Sequence, residues 1–205
     1  MQSKKNLKRE LILDTSFDLF LSKGYSNTKV VDIATKAGIG KGTVYEYFES
    51  KEAIVLELVN TRAKQDYMKV FDVVEKLPTC KEQLIQYLQM QMETTAKYTL
   101  NATDFRNEIL RNNSEISTKI IEAIHSIIFL HFEFIYNVIK KGISSGEFKN
   151  LSPYMATVCF MGSINFYLGM LHHGEEYPET KMFRQVDSAN GEESLLDFIF
   201  DGLLA

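Results

Sequence analysis

The sequence predicts an all-α fold of about nine helices, a small N-terminal three-helix domain followed by a larger helical one. Three observations carry that expectation. Apolar residues recur at spacings of three and four along most of the chain. Gly, Pro, Ser, Thr and Asn punctuate these stretches as helix stops and starts. No stretch reads convincingly as a strand, and no repeat is present.

Leu7 to Lys23 reads as the first helix, with Ile12, Ser16, Leu19 and Phe20 on one side. Gly24 stops it, and Thr28 is placed to cap the next. Val30, Ile33, Ala34 and Ala37 then form the stripe of a short helix that Gly38 ends. Ile39 is the one apolar residue of the turn that follows. Lys41 to Phe48 resumes helical spacing, with Val44 and Phe48 facing inward. Gly42 and Glu46 then fall at the centre of the outer face, with Thr43 and Tyr45 on its flanks. Two short helices joined by a tight turn make a helix-turn-helix, whose expected partner is double-stranded DNA. Gly42 costs that helix about 0.8–1.0 kcal/mol against Ala, a cost that the approach of another surface would justify. Ser50 is placed to cap a further helix with Lys51 in its first turn, where a lysine opposes the helix dipole and is better explained by a phosphate partner.

These residues resemble the N-terminal domain of the TetR family of transcriptional regulators. Phe20, Gly24, Tyr25, Thr28, Ile33, Ala34, Ala37, Gly38, Lys41, Gly42, Thr43, Tyr45, Phe48, Lys51 and Glu52 carry the likeness, over roughly the first quarter of the chain. The resemblance implies a DNA-binding domain over residues 1–50 and an effector-binding and dimerisation domain over 51–205. It also implies a homodimeric repressor that a small ligand releases from a palindromic operator. On the family pattern the DNA-facing residues are Thr28, Lys29, Lys41, Gly42, Thr43, Tyr45, Glu46, Tyr47 and Lys51. Three positions depart from that pattern. Val31 stands where the family often has Arg or another polar residue, so base reading from the second helix is apolar or absent. Gly40 stands where Ser or Ala usually opens the recognition helix. Glu46 is acidic on the DNA face; it either accepts from a cytosine amino group, holds Lys41 or Tyr45, or is simply solvated.

Charge follows the same division. The 205-residue chain carries a formal net charge of −4. Residues 1–51 hold nine Lys/Arg against six Asp/Glu, leaving 14 against 21 for the remainder, or +3 and −7. A basic head on an acidic body keeps the body away from phosphates. Lys4, Lys5, Lys8 and Arg9 concentrate charge where an arm or first turn could touch phosphate. No run approaches a membrane span and the charged N-terminus is not a signal peptide, so a cytoplasmic protein is expected. Cys80 and Cys159 are far apart and are expected to be buried thiols.

Beyond the head, a long helix is expected from about Lys51 to Lys76, ending before Leu77-Pro78. Thr79 and Glu82 have capping-box spacing and open a helix to about Lys97. A short helix is expected over Thr103 to Arg111, then a long one over Ser114 to Ile143. Ser152-Pro153 opens a helix to Leu171 that is apolar nearly all round and should be buried on more than one side. Asn190 and Glu193 start the last helix. By resemblance, these last two helices pair with their copies in a second subunit.

By resemblance again, the helices from Thr79 to Ile143 enclose the effector. Gln91, Phe105, Ile109, His125, Ile128, Phe129, Phe132, Met161, Asn165 and Phe166 are the candidate lining, and a mostly apolar small molecule is the expected ligand. Catalysis, metal and cofactor find no support. His172-His173 has no Asp or Cys at ligand spacing, and no phosphate loop or nucleophile elbow is present. The rival class is a DNA-binding architectural or division-linked protein of the same fold without an effector.

Overall fold

The computed structural model describes residues 2–98, 114–173 and 191–204. The order is α1 (Gln2–Lys23), α2 (Val30–Lys36), α3 (Lys41–Tyr47), α4 (Lys51–Leu58), a π-helical turn (Val59–Ala63) and α5 (Lys64–Val74). Then come α6 (Cys80–Tyr98), α7 (Glu115–Ser144), α8 (Pro153–His173) and α9 (Gly191–Leu203). Among the described residues the only β-type pairing is an isolated bridge between Phe148 and Leu204, so the all-α expectation holds. The expected short helix over Thr103 to Arg111 lies outside the described residues.

The chain divides into two compact units, Met1–Tyr67 with Lys97–Ile127, and Met68–Ala96 with Ile128–Ala205. In the first, Ile12, Leu13, Leu19, Ile33, Ala34, Val44, Phe48, Ile54 and Leu58 form one buried cluster. Ile12, Leu19, Ile33, Ala34, Val44 and Phe48 are inward positions that helical spacing assigns, Leu13 joins them, and Ile54 and Leu58 draw in α4. Tyr25, Val55 and Ile120 form a second cluster, so the first turns of α7 belong to this unit. Gly38 adopts φ +66° and closes α2 in a Schellman arrangement, with Gly38 N–H on Thr35 O and Ile39 N–H on Ala34 O. That left-handed residue turns the chain from α2 into α3.

Two expectations about helix ends need correction. Thr28 does not cap α2. Its hydroxyl is buried and donates to the Gly24 and Leu19 carbonyls, closing the loop after α1. Lys29 is the N-cap, and the Asp32 carboxylate accepts its backbone N–H at 3.1 Å. The long helix after Ser50 ends at Val74 and is not a regular α-helix throughout, since the π-helical turn interrupts it. The cap at Ser50 forms as expected, and so does the capping box at Thr79 with Glu82; Ser114 also accepts the Ser117 N–H at the start of α7.

In the second unit, Glu147 reaches the start of α6, where its carboxylate accepts the Cys80 and Lys81 N–H groups at 2.9 and 2.7 Å. A carboxylate there satisfies unpaired donors and opposes the positive end of the helix dipole. Burial, and then Glu147, push the Cys80 thiol up, so it stays protonated and unreactive. Cys159, by contrast, is exposed and corrects the expectation of two buried thiols. It lies on the outer side of α8. That helix buries one stripe, Ala156, Thr157, Phe160 and Ile164, while Tyr154, Met155, Val158 and Phe166 stay exposed. Among the described side chains, burial of α8 is therefore confined to this stripe rather than spread over several sides.

Candidate nucleic-acid interface and ligand-binding core

The head holds α3 by a ring of contacts at its inner and C-terminal sides. Val44 and Phe48 are 1% and 3% exposed in the core. Arg9 of α1 lies over the Phe48 ring at 4.6 Å, donates to the Tyr47 carbonyl, and grips Glu57 of α4 through both Nε and Nη2. Such a two-point ion pair fixes direction as well as distance. A second pair, Arg62 to Asp14 at 2.6 Å, ties the π-helical turn to α1, and Arg62 also covers the Phe17 ring. The recognition helix thus stands on α1 and α4.

The outer face is built from what remains. Lys41, Gly42, Tyr45 and Glu46 are exposed, Thr43 is half-buried, and Lys29 is exposed at the start of α2. Lys41 Nζ sits 5.6 Å from the centre of the Tyr45 ring. A Cβ added to Gly42 would meet nothing within 4 Å, so the protein's own packing does not require glycine there. Tyr47 is half-buried against the core, and Thr28 is buried, so neither presents its whole side chain. Lys51 is half-buried at the start of α4; its Nζ donates to the Tyr25 carbonyl at 2.8 Å and lies 3.8 Å from the Tyr25 ring centre. An ammonium has three donors, so a phosphate would share this one with Tyr25.

Of the lining residues read from the sequence, Phe105 and Ile109 lie outside the described residues. His125 is exposed and belongs to the first unit, whereas Ile128 and the later candidates belong to the second. Ile128, Phe129, Asn165 and Phe166 are exposed, and Met161 is half-buried. Phe132 is half-buried between Tyr136 and Tyr154. The described structure therefore does not gather this set into one site.

It gathers another. Tyr87 Oη lies 2.5 Å and Gln91 Nε2 3.2 Å from Nδ1 of His131, which is 7% exposed. An amide nitrogen only donates, so Nδ1 accepts and the ring carries its proton on Nε2. Phe71 and Phe134 stack at 4.3 Å against this cluster, Phe71 meeting the imidazole edge-on. Desolvation pushes the His131 pKa down to about 4, so the ring is neutral near pH 7. Gln91 is among the residues the sequence points to; Tyr87, His131, Phe71 and Phe134 are not. The available signal is the four-residue spacing of Tyr87 and Gln91, which stacks them on one face of α6.

An α2-turn-α3 head with an open outer face, joined to a helical body with its own core, defines a helix-turn-helix transcriptional regulator. The family model for bacterial regulatory proteins of the tetR family matches residues 12–58. The chain is 30% identical over 132 residues to the HTH-type transcriptional regulator QacR of Staphylococcus aureus, covering 60% of this chain and 69% of that protein. The chain belongs to the TetR family of transcriptional regulators. It is also similar to the fatty acid metabolism regulator protein of Bacillus subtilis, 26% identical over 162 residues, covering 78% of this chain and 81% of that protein. Against one further curated relative the match spans only 50% of that protein's length. Among solved structures, the fold matches the transcriptional regulator FadR from Bacillus subtilis in complex with stearoyl-CoA. The TM-score is 0.66 at 23% identity, covering 94% of this chain and 98% of that one. Among the described residues no helix is long and apolar enough to cross a membrane.

Proposed function

We propose that this protein is a cytoplasmic repressor that binds a palindromic operator as a homodimer and is released by a mostly apolar small molecule. Residues 1–50 supply the DNA-binding head and 51–205 the effector and dimer body. The observation that carries the reading is the outer face of α3. Gly42 there is exposed and unneeded by packing, beside Lys41, Thr43 and Tyr45. A helix that omits a side chain where the fold leaves room for one is shaped for a partner's surface. Lys29 and Lys51 flank that face as phosphate contacts, and Thr28 contributes by holding the loop before α2 rather than by touching DNA with its hydroxyl.

The exposed apolar stripe of α8, with Phe198 exposed on α9, supports dimerisation through these two helices. A two-fold protein doubles the weak grip of one short recognition helix. For the effector, Tyr87, Gln91 and His131 offer hydrogen bonds without charge, beside the stacked Phe71 and Phe134. The groups of this cluster are neutral, the imidazole of His131 included. An ion buried with no partner is costly, so the effector's buried part should be uncharged, as an acyl chain with an ester or thioester carbonyl is. The B. subtilis relatives concerned with fatty acids point to the same chemistry.

The experiment is displacement of the protein from a selected duplex, followed by fluorescence anisotropy. Stearoyl-CoA and methyl stearate should each release DNA, and Tyr87→Phe should weaken release while leaving DNA affinity unchanged. Since an effector shifts an equilibrium only by its differential affinity, DNA should weaken the effector by the same factor. If no acyl compound binds and a broad apolar screen finds no ligand, the effector-free architectural reading replaces this one.

A further inference from the structure

From Lys29 to Tyr47 the chain holds no Arg, Asn or Gln. Those side chains, together with Lys, make the two-point hydrogen bonds by which guanine and adenine are ordinarily read in the major groove, and Lys29, Lys36 and Lys41 are the span's readers of that kind. The polar groups that α2 does carry are engaged within the head. Thr35 Oγ1 donates to the Val31 carbonyl at 2.8 Å. Asp32 accepts the Lys29 N–H and lies 3.8 Å from Lys23 Nζ. Lys36 Nζ lies 3.4 Å from Asp18, and Asn27, just before the helix, donates to the Lys23 carbonyl. Val31 is different. It stands in the first turn of α2, 48% exposed, while its neighbours Ile33 and Ala34 fill the core.

We infer that Val31 is a specificity-determining residue that reads the C5-methyl group of a thymine; this rests on the DNA-binding reading above. An apolar side chain has one matching partner on a base edge in the major groove, and it is that methyl. Thymine and uracil present the same hydrogen-bonding groups there and differ only in the methyl, so the contact can be isolated without disturbing any other. An operator read this way prefers A·T pairs at the Val31 positions for a reason that carries no polar signature.

The test uses the full-length protein and its selected operator duplex, with each thymine replaced in turn by deoxyuridine. One symmetry-related pair of thymines should emerge at which removing the methyl weakens binding roughly fourfold per methyl, and more than tenfold when both half-sites are changed. Val31→Ala should bind the unmodified operator about as weakly as the wild type binds the doubly substituted one, and should no longer distinguish thymine from uracil at that pair. The substitution is on an exposed helical site, so the melting temperature should hold. A wild type indifferent to deoxyuridine at every position overturns the inference alone. So does a Val31→Ala variant that keeps the full uracil penalty, because another residue then reads the methyl. Failure to select any duplex overturns the DNA-binding reading itself, and this inference with it.

Discussion

Gly42→Leu should leave the head as stable as before, or slightly more stable, and lower operator affinity by 100-fold or more. The two halves of that expectation have separate causes. Gly42 is not among the glycines with positive φ, and it sits inside α3 with open space around its missing Cβ. Nothing in the fold asks for glycine, so any good helix former should recover part of the roughly 0.8–1.0 kcal/mol that glycine costs. On the DNA side, an isobutyl group at the centre of the outer face would lift α3 from the groove. A side chain well paired with a base edge is worth about 1–3 kcal/mol, and a two-fold dimer would forfeit that pairing in both half-sites. Gly42→Ala should fall between. Thermal melts recorded beside binding isotherms separate the causes: a variant that loses stability and affinity together would show that the glycine serves the fold.

The second large effect concerns acid. Burial holds the folded-state pKa of His131 at about 4, against an ordinary value near 6.5. As pH falls, the unfolded chain takes up this proton first. The contribution of His131 is therefore complete above pH 6.5, drains away between 6.5 and 4, and is gone below about 4. The total is on the order of 3 kcal/mol. Protonation also turns Nδ1 from an acceptor into a donor, which sets it against the Gln91 amide and breaks the hydrogen bond that Tyr87 makes. Urea unfolding followed by circular dichroism at pH 7 and pH 4.5 should show this drop in stability in the wild type. His131→Gln, which cannot titrate, should be less stable at pH 7 and should weaken much less on acidification. Equal acid sensitivity in both proteins would mean that His131 is not the responsible group.

The head was legible because its determinants are local. Ile12, Ser16, Leu19, Ile33, Ala34, Val44 and Phe48 announce their burial by spacing alone, and Gly38 announces its turn. Thr28 misled for the same reason, since a threonine before a helix looks like a cap whether its hydroxyl turns forward or back. Its true partners, the Leu19 and Gly24 carbonyls, lie behind it. The body was less legible because its site depends on which helices meet. His131 is one residue of a 30-residue helix rich in Ile and Phe, and nothing nearby in sequence marks it. Only the pairing of α7 with α6 and α5 brings it to Tyr87, Gln91 and Phe71. Phe129 and Phe166 show how little residue type says by itself about a side chain's surroundings. Their type suggested an inward lining, yet they are 75% and 73% exposed. Val31 was marked by its departure from the family pattern, but its use follows only from seeing that Thr35, Asp32 and Lys36 are already engaged.

The DNA site this protein selects from random duplexes, together with the number of chains bound to it, tests two-fold operator recognition most directly. An inverted repeat is predicted, carrying two chains related by a two-fold axis. Successive half-sites should be about 34–36 Å apart, or a multiple of that, so that each α3 enters a major groove on the same side of the duplex. Footprints and mass of the complex measure both at once. Selected sites without two-fold symmetry, or a single chain on the duplex, would contradict it.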